Sequence, residues 1–289
     1  MVAAISAVAA TGSWAQQDMS DVQIETIRVA DGIYMLVGQG GNIGLSIGDD
    51  GPFVIDDQFA PLTDKILAAI ATVTDGAVRF VLNTHWHGDH TGGNENLGKA
   101  GAMIMAHENV RRRLNPSEFR DVMGRTEQAP PEALPVITFS DAVNLYWNGE
   151  NIRVFHVEKA HTDGDAVIYF SNANVVHMGD NFFQGRYPFI DVDSGGGIDG
   201  MIAAGDRVLA MVNSSTQIIP GHGTLATPDE LREFRNMLVT VRDRIHAMLN
   251  DGMSVEDIVA AKPTRDLDAV WGDSPDGFVT MAARSLSGQ

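Results

Sequence analysis

The sequence predicts an α/β fold whose polar side chains collect where strands end. Residues 24–59 contain short apolar runs broken by Gly and Asp pairs, which is typical of consecutive hairpin strands. Residues 61–76 follow, with apolar side chains at helical spacing between Pro61 and Gly76. The next apolar run, residues 77–84, is a predicted strand that ends directly in the sequence HWHGDH. Open α/β sheets carry their sites at such carboxyl ends of strands.

The second half of the chain repeats this pattern of strands and helices. A hairpin is predicted around Asn148-Gly149, because that pair favours the tight turn between two strands. The runs DAVIYF and NVVHMGD predict two further strands, and residues 200–212 predict a helix before a strand that ends in PGHG. Thr227 and Glu230 then form a capping box at the start of a long helix.

The composition predicts one domain rather than several. The chain is 44% hydrophobic and 20% charged, as in ordinary globular proteins, and no linker marks a second domain. We predict a domain over residues 22–250 and a helical and irregular extension, residues 251–289, packed on it. Residues 1–15 are apolar but too short to span a bilayer, and Ser-Trp-Ala before Gln16 fits a signal-peptidase site. The protein is therefore expected to be periplasmic or secreted.

The charge balance narrows the class of partner. With 38 acidic and 20 basic residues the formal charge is −18, which argues against nucleic acid, since phosphate binding needs a basic stripe. The only dense basic run, residues 111–114, predicts a solvated helix face. The chain has no cysteine, which excludes disulfides and thiolate metal ligands. These features favour a small-molecule substrate, with no membrane partner, and they leave the oligomeric state open.

The cluster at residues 85–90 holds three of the nine histidines. Alternate side chains of an extended chain share a side, so that His85 and His87 can bind one metal ion. Asp89 continues this alternation while His90 faces elsewhere, so that one segment can serve two adjacent metals. Three further polar residues each follow a predicted strand: His161, Asp180 and His222. Five histidines and two aspartates suffice for two metal ions of intermediate hardness.

This order of residues resembles the metallo-β-lactamase superfamily. The resemblance rests on His-x-His-x-Asp-His, a His about seventy residues further on, then an Asp, then a His in a Gly-flanked turn, and it covers residues 22–240. It implies a four-layer αββα sandwich of two similar halves, with a two-metal site at the edge of the two sheets. The expected cofactors are two Zn²⁺ ions, with Mn²⁺ or Fe as alternatives.

The resemblance also assigns a role to each residue. It implies a first metal bound by His85, His87 and His161, and a second bound by Asp89, His90 and His222, with Asp180 bridging them or serving the second. Asp56, which ends the strand PFVID, would support the ligand loop from behind. Among the remaining histidines, His177 is the best candidate for a supporting role, because it lies three residues before Asp180.

The implied reaction is hydrolysis of an amide- or ester-type bond. Two divalent ions can hold a hydroxide between them, and Asp89 would orient it as the attacking group. Within the superfamily, the sequence most resembles the subclass of β-lactamases that has a Cys metal ligand. Asp180 stands at the position of that Cys, and Phe183 stands where the subclass has a Lys that anchors the substrate. Slow, broad β-lactam hydrolysis is expected, since such a charged contact is worth about 1.5–3 kcal/mol.

Other groups could bind the substrate's carboxylate instead. Arg186 is one candidate, and the backbone N–H groups around Ser194 and Gly196 could form a small anion-binding nest.

Three alternatives remain at the level of sequence. Glyoxalase II, a thioesterase, shares all seven ligands and is the main rival, although residues 262–273 lack a basic cluster for glutathione. The nucleases of the superfamily are disfavoured by the charge of −18. A protein whose metals only stabilise the fold is disfavoured, because structural zinc sites are closed and usually rich in Cys.

Overall fold

The computed structural model describes residues 18–115, 129–272 and 275–288. Within these ranges, the first half of the chain forms a seven-stranded sheet in sequence order. Its strands are β1 (Glu25–Ala30), β2 (Ile33–Val37), β3 (Ile43–Ser46), β4 (Phe53–Ile55), β5 (Phe80–Leu82), β6 (Met103–His107) and β7 (Ile137–Phe139). Strands β1 to β4 are antiparallel, as the predicted hairpins require, and β4 to β7 are parallel.

The second sheet has five strands in the order β12-β11-β10-β9-β8 among the described residues. They are β8 (Ala142–Trp147), β9 (Glu150–His156), β10 (Ala166–Phe170), β11 (Val175–His177) and β12 (Gln217–Ile219). The predicted hairpin between β8 and β9 is confirmed, with Asn148 and Gly149 at φ 53° and 75°, the positive values of its tight turn. Within the described part of this second sheet, only β11 and β12 pair in parallel.

Helices cover the outer faces of the two sheets. Among the described residues, four α-helices precede β7: α1 (Thr63–Ile70), α2 (Gly88–Thr91), α3 (Asn94–Lys99) and α4 (Glu108–Leu114). Five follow β11: α5 (Ile198–Leu209), α6 (Pro228–Asn250), α7 (Val255–Ala261), α8 (Asp268–Trp271) and α9 (Pro275–Ser287). In the described ranges, no helix is long and apolar enough to cross a bilayer.

Three clusters of buried side chains show the layers. One lies between the sheets and joins Met35 and Ile55 of the first sheet to Val154 of the second. A second packs the other face of the first sheet against α1, through residues such as Ile66. A third packs the second sheet against α5, α6 and α9, through residues such as Phe234. The order of layers is thus α, β, β, α, and the predicted sandwich is confirmed.

The structure shortens one predicted helix. The spacing predicts a helix over residues 61–76, whereas α1 ends at Ile70 and a turn follows. Thr72, Val73 and Thr74 are β-branched, and such side chains lose rotamer freedom in a helix, which disfavours its continuation.

The C-terminal residues pack on the same body of helices. The capping box of α6 forms as predicted, with Thr227 Oγ1 accepting from Glu230 N and Glu230 Oε2 accepting from Thr227 N. Within the predicted extension, α7 and α9 contact one another and α6, and α9 also contacts α5. Residues 1–15, the predicted signal segment, lie outside the described residues.

Candidate metal centre

The seven predicted ligands meet at one edge of the two sheets. Two groups form, in each of which the possible ligand atoms lie within 4.8 Å of one another. The three-histidine group contains His85, His87, His161 and Asp180, and the second group contains Asp89, His90 and His222. These residues follow β5, β9, β11 and β12 or lie on α2, so that the ends of neighbouring strands bring them together.

Asp180 is the carboxylate that reaches both groups. Its Oδ1 lies 3.1 Å from His90 Nε2, and its Oδ2 lies 3.4 Å from His222 Nε2, both in the second group. The same Oδ2 lies 3.5 Å from His161 Nε2 and 3.9 Å from His85 Nε2, in the three-histidine group. Its position fits the bridging role that the sequence suggests.

Hydrogen bonds on the far side of each ring fix the tautomers of the three histidines. His161 Nδ1 donates to the carbonyl oxygen of Phe189 at 2.9 Å, and His87 Nε2 donates to Asp191 Oδ2 at 2.8 Å. Thr84 Oγ1 donates its proton to Asp56 at 2.7 Å, so it accepts from His85 Nδ1 at 3.0 Å. Each ring therefore turns a nitrogen lone pair toward the centre of the group.

The facing lone pairs call for a cation. His87 Nδ1 lies 2.8 Å from His161 Nε2 and 3.1 Å from His85 Nε2, so that in these tautomers three nitrogen lone pairs face one another. Neutral imidazole nitrogens are the metal-binding form. Burial lowers the pKa of His161 to about 4. Burial and the nearby His90 and His161 lower the pKa of His85 well below its ordinary value, so both rings stay neutral at physiological pH.

The histidines of the second group face two ionised carboxylates, Asp89 of the same group and Asp180 of the three-histidine group. Although burial raises the pKa of Asp180, the facing His90, His222 and His161 hold it well below its ordinary value. Burial lowers the pKa of His222, but Asp180 and Asp89 raise it to about 9. Asp180, Asp89 and Asp56 likewise hold the pKa of His90 well above its ordinary value despite its burial. This group holds positive charge, as protons or as a metal ion that displaces them.

A further observation, two buried polar atoms that face each other, also indicates that these residues fit a divalent metal ion. His90 Nε2 and Asp180 Oδ1 are buried and lie 3.1 Å apart, yet neither makes a hydrogen bond of good geometry, although such buried groups are normally paired. Glycines leave the space around them: a Cβ at Gly41 would lie 2.1 Å from the His90 ring, and one at Gly221 would lie 2.1 Å from Asp180 Oδ1. Side chains at either position would displace a ligand.

Asp56 supports His90, as the sequence suggests. Its carboxylate accepts from His90 Nδ1 at 2.7 Å and from both the N–H and the hydroxyl of Thr84 at 2.7 Å. It is fully buried, at a φ of 61°. The bond to Nδ1 directs Nε2 of His90 toward Asp180, which is the usual way in which a carboxylate orients a ligating histidine.

His177 supports the turn that carries Asp180. Its Nδ1 accepts from Gly179 N at 3.2 Å, and its Nε2 donates to the carbonyl oxygen of Asn42 at 3.1 Å. Burial lowers the pKa of His177 to about 4, so the ring is neutral and can both accept and donate. It thus contacts the backbone next to the ligand without ligating.

The side chains that the sequence suggests as substrate contacts differ in their exposure in the structure. Phe183 is only 5% exposed and stacks on His222, with ring centroids 5.2 Å apart, so it supports a ligand and offers little surface to a substrate. Arg186 is exposed, and its guanidinium lies 5.6 Å from the Phe183 ring centroid. Phe189, which sequence analysis missed, is 47% exposed with its ring 5.9 Å from both His87 and His161.

The predicted anion-binding nest is not available in this structure. Ser194 is fully buried, and its N–H donates to Asp191. The N–H groups of residues 195–197 donate to the carbonyl oxygens of Val192, Asp191 and Ala160 at 2.8 to 3.0 Å. Because these amides bond within the protein, Ser194 and Gly196 have no free N–H for a substrate, and that expectation is corrected.

Two residues that support the metal-ligand loops were not predicted from the sequence. Asp191 accepts from His87 Nε2 across 104 positions of sequence. Arg113 lies in the basic run that predicts a solvated face, yet its side chain is only 8% exposed. Its Nε and Nη2 each donate to Asp163 at 2.7 Å, and its guanidinium lies 5.8 Å from the Trp86 ring centroid. The prediction of a solvated face is wrong for Arg113, because α4 turns this residue toward the two ligand loops.

Two groups of facing histidines and carboxylates at the edge of an αββα sandwich are the arrangement of a metal-dependent hydrolase. A model of the metallo-beta-lactamase superfamily matches residues 38–225, which is more than half of the chain. The chain belongs to the metallo-β-lactamase superfamily, as its motif indicates.

Solved structures agree with this fold. A metallo-beta-lactamase from Pontibacter korlensis is 18% identical with a TM-score of 0.62, over 75% of this chain and 99% of that one. The DIM-1 metallo-beta-lactamase is also 18% identical with a TM-score of 0.62, over 76% and 99% of the two chains. At this identity the likeness concerns the fold alone.

One curated relative is closer in sequence over a shorter stretch. A hydroxyacylglutathione hydrolase from Pelagibacter ubique (strain HTCC1062) is 30% identical over 110 residues. The match spans 37% of this chain and 37% of that protein.

Proposed function

We propose that this protein is a two-metal hydrolase that opens amide- or ester-type bonds, with slow and broad activity on β-lactams. The observation that carries the proposal is the place of Asp180, whose two oxygens face histidines of both groups at 3.1 to 3.9 Å. His85, His87 and His161 would hold one ion, and Asp89, His90 and His222 the other. When bound, zinc ions would supply Lewis-acid activation of the scissile carbonyl and of water.

Asp89 is suited to act on the attacking water. Its side chain is 26% exposed, and its Oδ2 lies 3.4 Å from His222 Nε2 and 3.7 Å from His90 Nε2. Although burial raises the pKa of Asp89, these two histidines lower it, so the group is ionised in neutral solution. An ionised carboxylate can hold the attacking water by a hydrogen bond close to the reacting carbon and can accept a proton from that water.

The supporting residues exclude alternative arrangements of the ligands. Asp56 holds His90 in one tautomer and Asp191 holds His87 in another, so that each ring presents the required nitrogen. Phe183 stacks on His222 and fixes the plane of that ring. The ligands are therefore oriented before a substrate arrives, which lowers the reorganisation needed during the reaction.

Weak binding of β-lactams follows from the side chains at the mouth of the site. Phe183 stands where a charged anchor would be needed, and it is buried against His222. Arg186 is exposed beside it, with its guanidinium 5.6 Å from the Phe183 ring centroid, and could meet a substrate carboxylate. Its exposed guanidinium would act through solvent, where an ion pair contributes only about 0.2–1 kcal/mol.

A thioesterase or lactonase is the second candidate. The similarity to a hydroxyacylglutathione hydrolase supports it, at 30% identity over 110 residues. Ligands of nitrogen and oxygen only, with an aspartate at residue 180, would serve a thioester as well as an amide.

An assay of the metal-loaded protein against four substrates separates these candidates. The substrates are a chromogenic cephalosporin, a glutathione thioester, a lactone and a phosphodiester, each compared by kcat/KM. We expect measurable, slow cleavage of the cephalosporin and none of the phosphodiester. If the thioester or lactone is cleaved far faster than the cephalosporin, the second candidate replaces the first, and inactivity on all four carbonyl and phosphoryl compounds contradicts both.

The protein is expected to bind about two divalent ions per chain, because seven ligand groups in two clusters exceed the needs of one tetrahedral ion. Elemental analysis after zinc loading measures the ratio. The variant His222→Ala should bind about one ion, since it removes a ligand from the second group only. A ratio that stays at one for the wild type under zinc excess contradicts the proposal. Loading with Mn²⁺ or Fe tests whether the ligands accept these ions as well.

We also propose that the protein is exported, on the evidence of the apolar segment before Gln16. Mass spectrometry of secreted or periplasmic protein should find Gln16 as the first residue. The variant Ala15→Arg should block cleavage, because signal peptidase requires a small residue there. Periplasmic protein that retains Met1 would show that residues 1–15 are not a signal.

A further inference from the structure

The loop of residues 186–193, here called the site loop, contacts the three-histidine group from one side. The carbonyl oxygen of Phe189 accepts from His161 Nδ1 at 2.9 Å, and Asp191 N donates to the carbonyl oxygen of His161 at 3.0 Å. Asp191 also accepts from His87 at 2.8 Å. The loop therefore orients two proposed ligands and presents the exposed ring of Phe189 beside them.

The other side of the site loop rests on the C-terminal helices. Tyr187 makes three contacts there: its N–H donates to the carbonyl oxygen of Trp271 at 2.9 Å, its hydroxyl donates to Asp268 Oδ1 at 3.0 Å, and its ring stacks on Phe278 at 4.9 Å. Further along, Ile190 N lies 3.4 Å from Met281 Sδ. Asp268 and Trp271 are the first and last residues of α8, and Phe278 and Met281 lie on α9, so both helices contact the loop.

The site loop's partners lie outside the part of the chain that the family model covers. That model ends at residue 225, whereas α8 and α9 occupy residues 268–271 and 275–287. The contacts are thus features of this chain's own C-terminal segment. Burial and the hydrogen bond to Asp268 raise the pKa of Tyr187 well above its ordinary value, so the hydroxyl keeps the proton that it donates.

We propose that α8 and α9 act as a latch that sets the site loop, and through it the orientation of His87, His161 and Phe189. The inference rests on the proposed hydrolase function and adds the C-terminal segment to the machinery of that site. Tyr187 and Asp268 are positioning residues, since neither contacts the ligand nitrogens. Loosening the latch should let the two histidines and the Phe189 ring sample more orientations, which weakens metal binding and substrate alignment together.

The test compares Tyr187→Phe and Asp268→Ala with two matched controls. Tyr169→Phe removes a hydroxyl that donates to Asn174 at 3.3 Å, away from the site loop. Asp206→Ala breaks an exposed ion pair at 2.8 Å between α5 and Arg235 of α6. Thermal unfolding of all four variants shows that they are folded before any other measurement.

Four measurements report on the latch, the last of them the Co²⁺ absorption spectrum. Amide hydrogen exchange in residues 187–191 and the dissociation constant for Co²⁺ read the loop and the three-histidine group without a substrate. The kcat and KM of the metal-loaded enzyme read substrate alignment. We expect the latch variants to increase both the exchange rate and the Co²⁺ dissociation constant about fivefold, the factor that one ordinary hydrogen bond represents. The Co²⁺ absorption spectrum should shift, and the two controls should match the wild type.

The outcomes separate the latch from the proposed function. If the latch variants match their controls in exchange, Co²⁺ binding and spectrum, the latch is refuted whatever the activity. If exchange and Co²⁺ binding change as expected while the wild type cleaves none of the four substrates, the latch stands and the proposed function fails.

Discussion

Replacing Asp180 with asparagine is expected to lower kcat/KM at least about 100-fold for every substrate that the wild type cleaves, because the loss of supporting residues alone costs about 10- to 100-fold. Asp180 Oδ1 and Oδ2 face His90 and His222 on one side and His161 on the other. An amide is neutral, and only one of its two polar atoms is an acceptor, so it can neither balance two divalent ions nor bind both. Steady-state kinetics on the four-substrate panel measures the loss.

A matched control distinguishes this effect from a general change of charge. Asp199→Asn removes a carboxylate that lies on α5, is 65% exposed and contacts Arg242 at 3.4 Å. It should leave kcat/KM within about twofold of the wild type, since exposed ion pairs contribute little. Metal content should fall toward one ion in Asp180→Asn and stay unchanged in the control. An Asp180→Asn enzyme with both ions and near-normal turnover would refute the bridging role.

Local patterns in the sequence predict most of the candidate site. Four of the seven possible metal ligands fall within six residues, and a strand that ends in such a cluster identifies its own edge of the sheet. His161, Asp180 and His222 are each ordinary loop residues when read alone. They became candidates through the joint pattern and its resemblance to the superfamily, and the structure places them with the cluster.

The supporting residues could be predicted only where they neighbour a ligand or end a strand. Asp56 and His177 fit that description, and both contact the site as expected. Asp191 and Arg113 do not, because each meets its partner through the fold, 104 and 50 positions away along the chain. Contacts of this kind depend on how the loops pack, which neither periodicity nor spacing records.

The predicted anion-binding nest was wrong, and the reason shows what the residue types of a loop cannot predict. Three consecutive glycines at residues 195–197 are compatible with an anion-binding turn. The same amides can equally satisfy carbonyl oxygens of the protein, and here Asp191 and Ala160 accept from them. A glycine-rich sequence predicts a tight turn, whereas the direction of its N–H groups is decided by the buried carbonyls that surround it.

Arg113 gives the second large expected effect, this time on stability. Its fork of two 2.7 Å bonds to Asp163 joins α4 to the loop of His161, while its stacking on Trp86 joins α4 to the loop of His85 and His87. Arg113→Gln leaves Asp163 without its cation. Breaking a buried pair costs about 3–5 kcal/mol, and because Asp163 is 30% exposed we expect the lower end, about 3 kcal/mol.

Arg112 offers a control one position away. It is 44% exposed and contacts only Glu108 and Asn109 of its own helix among the described residues, so Arg112→Gln should change stability by less than about 0.5 kcal/mol. Thermal unfolding of the metal-free protein measures the stability of both variants, and we expect the melting temperature of Arg113→Gln to fall by roughly 6–12 °C.

The melting temperature of Arg113→Lys should lie between those of Arg113→Gln and Arg112→Gln, because lysine keeps the charge but loses the planar fork that matches a carboxylate. Equal melting temperatures for Arg113→Gln and Arg112→Gln would show that α4 does not hold the ligand loops together. A large loss for Arg113→Gln, with weaker Co²⁺ binding that Arg113→Lys partly restores, would show that this helix stabilises the three-histidine group as well as the fold.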